Sequence, residues 1–133
     1  MQLTVSSDIA LRALIYLGKK GVPVTISEVA EECGVSKSSL MKVVMTLVSA
    51  NLVVSERGRN GGIYLAQDAR DISIGSVVRL MENSLALVEC MKDSPSSCPL
   101  LPGGCRLQSV FQSALGAFFT TLDKSSLADL LKS

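Results

Sequence analysis

Residues 25–53, TISEVAEECGVSKSSLMKVVMTLVSANLV, hold two helix starts separated by one glycine turn. Thr25 followed by Glu28 has the form of a capping box, so a short helix is expected from there to about Cys33. Gly34 turns the chain, and Ser36 is placed to cap a longer helix reaching about Ala50. Short helix, glycine-containing turn and second amphipathic helix make the helix-turn-helix pattern. Its second helix would carry Lys37, Ser38, Ser39 and Lys42 near an exposed N-terminal end, where recognition helices meet base edges and phosphates.

Directly after it, LVVSERGRNGGIYLA (52–66) has two β-prone runs, Leu52 to Ser55 and Ile63 to Leu65, around a basic, glycine-rich tip. That reads as a β-hairpin with Arg57, Arg59 and Asn60 at the turn, and behind a helix-turn-helix such a hairpin is a wing. Arginine suits the tip because its charge persists and its planar fork fits a narrow, electronegative minor groove. Helix-turn-helix spacing alone is weakly specific and also fits a helical domain with no nucleic-acid role. The RGRNGG tip in the wing position favours DNA.

Outward from this unit, Ser6 and Ser7 stand as N-caps of a first helix, roughly 8–19, whose stretch from Ile9 to Leu17 is apolar apart from Arg12. ISIGSVVRLMEN predicts a short helix packing back through Ile74, Val77, Val78 and Met81. A longer helix is expected over 106–122, where Leu107, Phe111, Ala114, Phe118 and Leu122 recur at helical spacing. Val110, Leu115 and Phe119 lie off that stripe, so this helix is expected to bury two faces, one in its own domain and one against a second subunit. Ser126 and Asp129 predict a final capped turn.

A chain of 133 residues is ordinarily one domain, and 47% hydrophobic residues suffice for a core with some surplus for an interface. With aromatics at 4% and no Trp, aliphatic packing must dominate, which favours helices. Net charge is only +1, but Lys37, Lys42, Arg57 and Arg59 against Glu56 leave residues 36–62 at net +3. A nucleic-acid partner would be met there. The chain has no histidine, which excludes Ser-His-Asp and Cys-His catalysis and every imidazole metal site. No apolar run reaches the roughly 18 residues of a membrane span, and the N-terminal segment lacks a basic n-region, so a cytoplasmic protein is expected.

Three of four cysteines, Cys90, Cys98 and Cys105, crowd into VECMKDSPSSCPLLPGGCRL (88–107). In a cytosolic chain such clusters are more often metal or redox groups than disulfides. A Pro/Gly/Ser-rich loop offers little core in which to bury them. Structural zinc requires four protein ligands, and the fourth cysteine, Cys33, falls in the short helix as a core residue. An iron-sulfur cluster requires thiolates that can wrap a bulky cage, which a turn-rich loop can supply. Spacing leaves zinc and cluster both open. Asp8 is a further candidate ligand, although at a helix start it also simply complements the helix dipole.

These residues resemble the Rrf-type family of iron-sulfur winged-helix transcriptional repressors. The likeness rests on the opening MQLT with Asp8 and ALRALIYL, on GVSKSSLMKVV, RGRNGG and ISIGSVVR, on the three-cysteine loop and on the closing SLADLL. It is strongest to the nitric-oxide-sensitive, NsrR-type branch, while the loop spacing is similar to the iron-responsive RirA type. The resemblance implies a homodimer paired through the long helix by Leu107, Phe111, Ala114 and Phe118. It also implies a cluster on Cys90, Cys98 and Cys105, of the 4Fe-4S or alternatively the 2Fe-2S type, with Asp8 of the other subunit as fourth ligand.

The expected fold class is mainly α with a small β-hairpin, a winged helix-turn-helix plus a long dimerisation helix. Residues 1–83 form the DNA-binding domain, 84–105 the cluster-binding loop, and 106–133 the dimerisation helix and C-terminal turn. The expected function is a cytoplasmic repressor, no enzyme and no membrane protein, whose hold on a double-stranded operator is controlled by the cluster and by nitric oxide. An iron-responsive repressor and a zinc-stabilised DNA-binding protein are the alternatives, and a redox enzyme is the rival from another class.

Overall fold

The computed structural model describes residues 1–93 and 97–132; the middle of the cysteine loop, 94–96, and residue 133 lie outside the described residues. In chain order come α1 (Val5–Lys20), α2 (Ile26–Cys33), α3 (Lys37–Ser49), β1 (Val53–Glu56), β2 (Gly62–Leu65), α4 (Ile74–Met81), α5 (Leu107–Asp123) and α6 (Leu127–Leu131). Single 3-10 turns lie at 69–71, 89–91 and 101–103. The mainly helical class with one hairpin is therefore as expected. No helix among the described residues is long and apolar enough to cross a membrane.

Helix α1 is the hub, packing on α2, α3, α4, α6 and β2. It begins before the caps expected at Ser6 and Ser7. Thr4 is the N-cap, its hydroxyl accepting from the Ser7 amide at 3.3 Å. Ser7 is instead fully buried, and its hydroxyl donates to the Glu82 carboxylate at 2.5 Å. Ile9, Ala10, Ala13, Leu14 and Leu17 then form the buried face. Gly21, at φ 66, ends the helix by returning its N–H to the Leu17 carbonyl in a left-handed conformation that glycine adopts without strain.

The caps of α2 and α3 form at Thr25 and Ser36, whose hydroxyls accept from the Glu28 and Ser39 amides at 3.1 and 3.2 Å. The box expected at Thr25 is only half closed. The Glu28 carboxylate turns away to accept from the Tyr16 phenol at 2.6 Å, a bond that leads in pushing Tyr16 up to about 12. Leu40, Val43, Val44 and Leu47 bury one face of α3 against α1 and α2.

The chain leaves α3 through Asn51, at φ 60, and β1 pairs antiparallel with β2 from Val53↔Leu65 to Glu56↔Gly62. A third segment joins this hairpin, because Val24 and Ile63 exchange backbone hydrogen bonds of 3.1 and 2.8 Å. Gly62 permits the approach: at φ 147, a Cβ there would stand 2.5 Å from the Val24 carbonyl oxygen. The wing is thereby anchored to the loop that leads into α2.

Ile74, Val77, Val78 and Met81 are buried, as the spacing of α4 predicts. Helix α5 meets α4 through Phe119, its one buried side chain among the described residues. The Arg79 guanidinium lies 4.2 Å from the Phe119 ring centre and forks onto Asp123 at 2.8 and 2.9 Å. The capping box at Ser126 and Asp129 is complete, and Leu127 is buried beneath it.

Candidate nucleic-acid interface and cysteine loop

The outer face of α3 carries Lys37, Ser38 and Lys42, all exposed, with no acidic residue in the first turn. Ser39 is half-buried, and its hydroxyl bonds that of Ser36 at 2.8 Å, so it serves the cap as well as the surface. Arg57, Arg59 and Asn60 are exposed at the wing tip, as expected. The tip turn closes by a Gly61 N–H to Gly58 carbonyl bond of 3.0 Å, and a Cβ on Gly61 would collide with the Glu56 carbonyl oxygen. Glu56 itself accepts from the Tyr64 phenol at 2.6 Å, which occupies the one carboxylate of the hairpin. The tip thus presents two guanidinium groups and an amide, with its acidic neighbour engaged at the strand.

Asp8 lies in the first turn of α1 and pairs with Arg12 at 2.7 Å. Arg12 also donates to the Cys33 carbonyl at 3.1 Å, so one side chain joins the start of α1 to the end of α2. Cys33 packs half-buried against the core, and burial leads in pushing its thiol up, which keeps it protonated at neutral pH. This agrees with its reading as a core residue.

Cys90 sits in the 89–91 turn, and Cys98 and Cys105 flank the 101–103 turn; all three are half-buried thiols. Gln108, in the first turn of α5, donates to the Cys90 carbonyl at 2.5 Å and ties loop to helix. Gly104, at φ 80, bends the chain immediately before Cys105. Among the described residues no three metal-binding side chains of this chain stand together as a ligand set. Cys90, Cys98, Cys105 and Asp8 are therefore not assembled into one site within a single protomer. The donor chemistry nevertheless fits an iron-sulfur cluster: three soft thiols, no imidazole, and a loop built from turns rather than committed to a sheet or long helix.

The profile of the Rrf2 family, described as an iron-dependent transcriptional regulator, matches residues 3–133. The chain belongs to the Rrf2 family. It is 43% identical over 134 aligned positions to the HTH-type transcriptional regulator NsrR of Oceanobacillus iheyensis, covering 99% of this chain and 90% of that protein. It is 41% identical to NsrR of Bacillus subtilis (strain 168), over 99% of this chain and 91% of that one. Among solved structures, IscR of T. potens superposes with a TM-score of 0.76 at 26% identity, covering 99% of this chain and 87% of the other. As an Rrf2 member the chain is a DNA-binding transcriptional regulator with a winged helix-turn-helix fold.

Within this Rrf2 fold the α5 stripe lies along an open apolar groove of about 920 Å³. Phe111, Ala114, Phe118 and Leu122 line it from α5, opposite Leu11, Ile74 and Val78. Leu107 and Val110 point outward at 51% and 60% exposure. Sequence reasoning missed the clasp at the mouth of this groove. There the Glu82 carboxylate, at the end of α4, accepts from the hydroxyls of Ser7 and Thr4, both at 2.5 Å, and from the Thr4 amide at 3.1 Å. Burial pushes the Glu82 carboxyl up, but these three donors outweigh it and hold the group below its ordinary value. The hydrophilic S-S-D run at 6–8 looked like a cap, and nothing in it pointed to residue 82.

Proposed function

We propose that this Rrf2 protein is a cytoplasmic homodimeric repressor whose operator affinity depends on an iron-sulfur cluster and is released by nitric oxide. The observation that carries the reading is the donor set: three half-buried thiols on one turn-built loop, with a lone carboxylate at the start of α1 and no histidine in the chain. Two NsrR relatives above 40% identity support nitric oxide as the signal. Residues 1–83 would bind DNA, 84–105 would carry the cluster and 106–133 would pair the subunits.

Cys90, Cys98 and Cys105 would hold the group as soft thiolate ligands, of 4Fe-4S or 2Fe-2S type, with Asp8 of the partner subunit as an oxygen ligand. When bound, such a group would supply iron open to nitric oxide, and Asp8, as an oxygen donor among thiolates, would be its most exchangeable ligand. The rest belongs to the protein. Arg12 holds Asp8 through Nε and Nη2 and the Cys33 carbonyl through Nη1, so a change in what Asp8 binds reaches the turn between α2 and α3 through one side chain. Lys37, Ser38, Ser39 and Lys42 would enter the major groove, and Arg57, Arg59 and Asn60 the neighbouring minor groove or backbone. Two-fold pairing of the subunits calls for a pseudo-palindromic operator.

An iron-responsive repressor is the second reading, favoured by the family's description as iron-dependent. The experiment is anaerobic purification followed by absorbance and operator binding, before and after stoichiometric nitric oxide and, in parallel, mild chelation. Loss of colour and of DNA binding with nitric oxide alone is the expected result. Loss under mild chelation establishes the iron-responsive reading, and a colourless zinc protein ends both. Alanine at Cys90, Cys98 or Cys105 should abolish the chromophore, while Asp8→Ala should keep it with altered stability to nitric oxide.

A further inference from the structure

The outer face of α3 is not uniformly polar. Met41 is 46% exposed and Met45 69% exposed, one helical turn apart and on the side opposite the buried Leu40, Val43, Val44 and Leu47. They stand among Lys37, Ser38 and Lys42, on the face that the DNA-binding reading turns toward the duplex. Two long apolar side chains held in water on a cationic helix mark a contact surface. Its basic neighbours and the absence of acid in the first turn select a polyanion as the occupant.

The major groove offers an apolar target in one place only, the 5-methyl group of thymine. An unbranched thioether is suited to it, since three rotatable bonds let sulfur and terminal methyl settle against a small projecting group. Residues four apart on a helix are separated by about 6 Å along its axis, close to two base-pair steps of about 3.4 Å. We propose that Met41 and Met45 are specificity-determining residues that read two thymine methyl groups about two base pairs apart in each operator half-site. Lys37 and Lys42 position the helix on phosphate, and the methionines distinguish T·A from the other pairs at those two places. This rests on the DNA-binding reading and extends it from where the helix binds to what it selects.

The test begins with the anaerobically purified protein, used to select a preferred duplex from a random-sequence pool. Each thymine of that duplex is then replaced by deoxyuridine, which lacks only the 5-methyl group. Wild-type affinity should fall about fourfold at each of two thymines per half-site, the equivalent of one apolar carbon returned to water, and about fifteenfold when symmetry-related thymines are changed together. The M41A/M45A protein should bind the unmodified duplex more weakly and be indifferent to the replacement. Alanine at exposed helix positions keeps α3 helical, and the wild-type half of the experiment needs no variant at all.

If no thymine is sensitive to the loss of its methyl group, or if M41A/M45A discriminates as wild type does, the proposal is overturned. It is equally overturned if the substitutions change self-association and leave the thymine discrimination intact, for the stripe is then a contact between copies of the chain. A wild-type protein that selects no duplex removes the DNA-binding reading itself, a result distinguishable from all of these.

Discussion

Ser7 has no exposed surface, yet it sits one residue from Asp8 and bonds the carboxylate of Glu82, 75 residues further along the chain. A hydroxyl in that position holds the first turn of α1 to the end of α4, immediately before the cysteine loop begins. Ser7→Ala leaves the Glu82 carboxylate short of one donor and should cost about 1.5–3 kcal/mol, measurable by urea unfolding. The pH dependence follows from the same contact. Glu82 is held below its ordinary value in the folded protein, so its contribution is present above the unfolded carboxylate range and is lost as pH falls through the lower folded value. Asp129 acts in the same direction: the Ser126 amide, then Lys132 and the Ser126 hydroxyl, bring it to about 2. Wild-type stability should therefore decline from about pH 4 downward, and S7A should show a shallower decline; an identical acid limb would remove Glu82 from the clasp.

At the scale of elements the wing is the clearest case of local chemistry serving a surface. Its tip keeps Arg57 and Arg59 exposed while the glycines around them take up the turn. Arg59→Ala should weaken operator binding at every sequence and lower the salt slope by about one unit, with the colour of the proposed cluster unchanged. Loss of colour would show that the wing tip does more than touch DNA. Most elements were legible from sequence because caps and turns are short-range. Thr25, Ser36 and Ser126 act on amides, and Gly34 on carbonyls, within a few residues, and each helix begins or ends where they predict. The misses were long-range. Ser7 was read as a cap because its partner is Glu82, Glu28 left its box for Tyr16, and the Val24–Ile63 pairing joins segments with no shared pattern.

Among the described residues, the groove beside α5 is a large apolar surface that the protein's own chain does not cover. Helix α5 is held to α4 at Phe119 and through the Arg79–Asp123 fork, while most of its length lies open along the groove. A second copy is the occupant that the dimer reading requires. Leu107→Glu, on the stripe the dimer reading uses and already 51% exposed, should leave the fold intact and halve the mass seen by sedimentation. A dimer that survives this change would place the subunit contact elsewhere. The same incompleteness explains the limits of reading the candidate metal site. The cysteines were visible as residue types, but the described residues do not bring three of them together, and nothing in their spacing names a fourth ligand or the subunit that would supply it.

Helix α3 is answerable to two masters on its opposite sides. Leu40, Val43, Val44 and Leu47 are fixed by the interior, whereas Lys37, Ser38, Met41, Lys42 and Met45 are exposed on the outer side. After gene duplication, a lineage could exchange those outer residues freely and send an unchanged sensor to a new set of promoters. Diversity among descendants should then concentrate on one stripe of a single helix, with the signal they answer inherited intact.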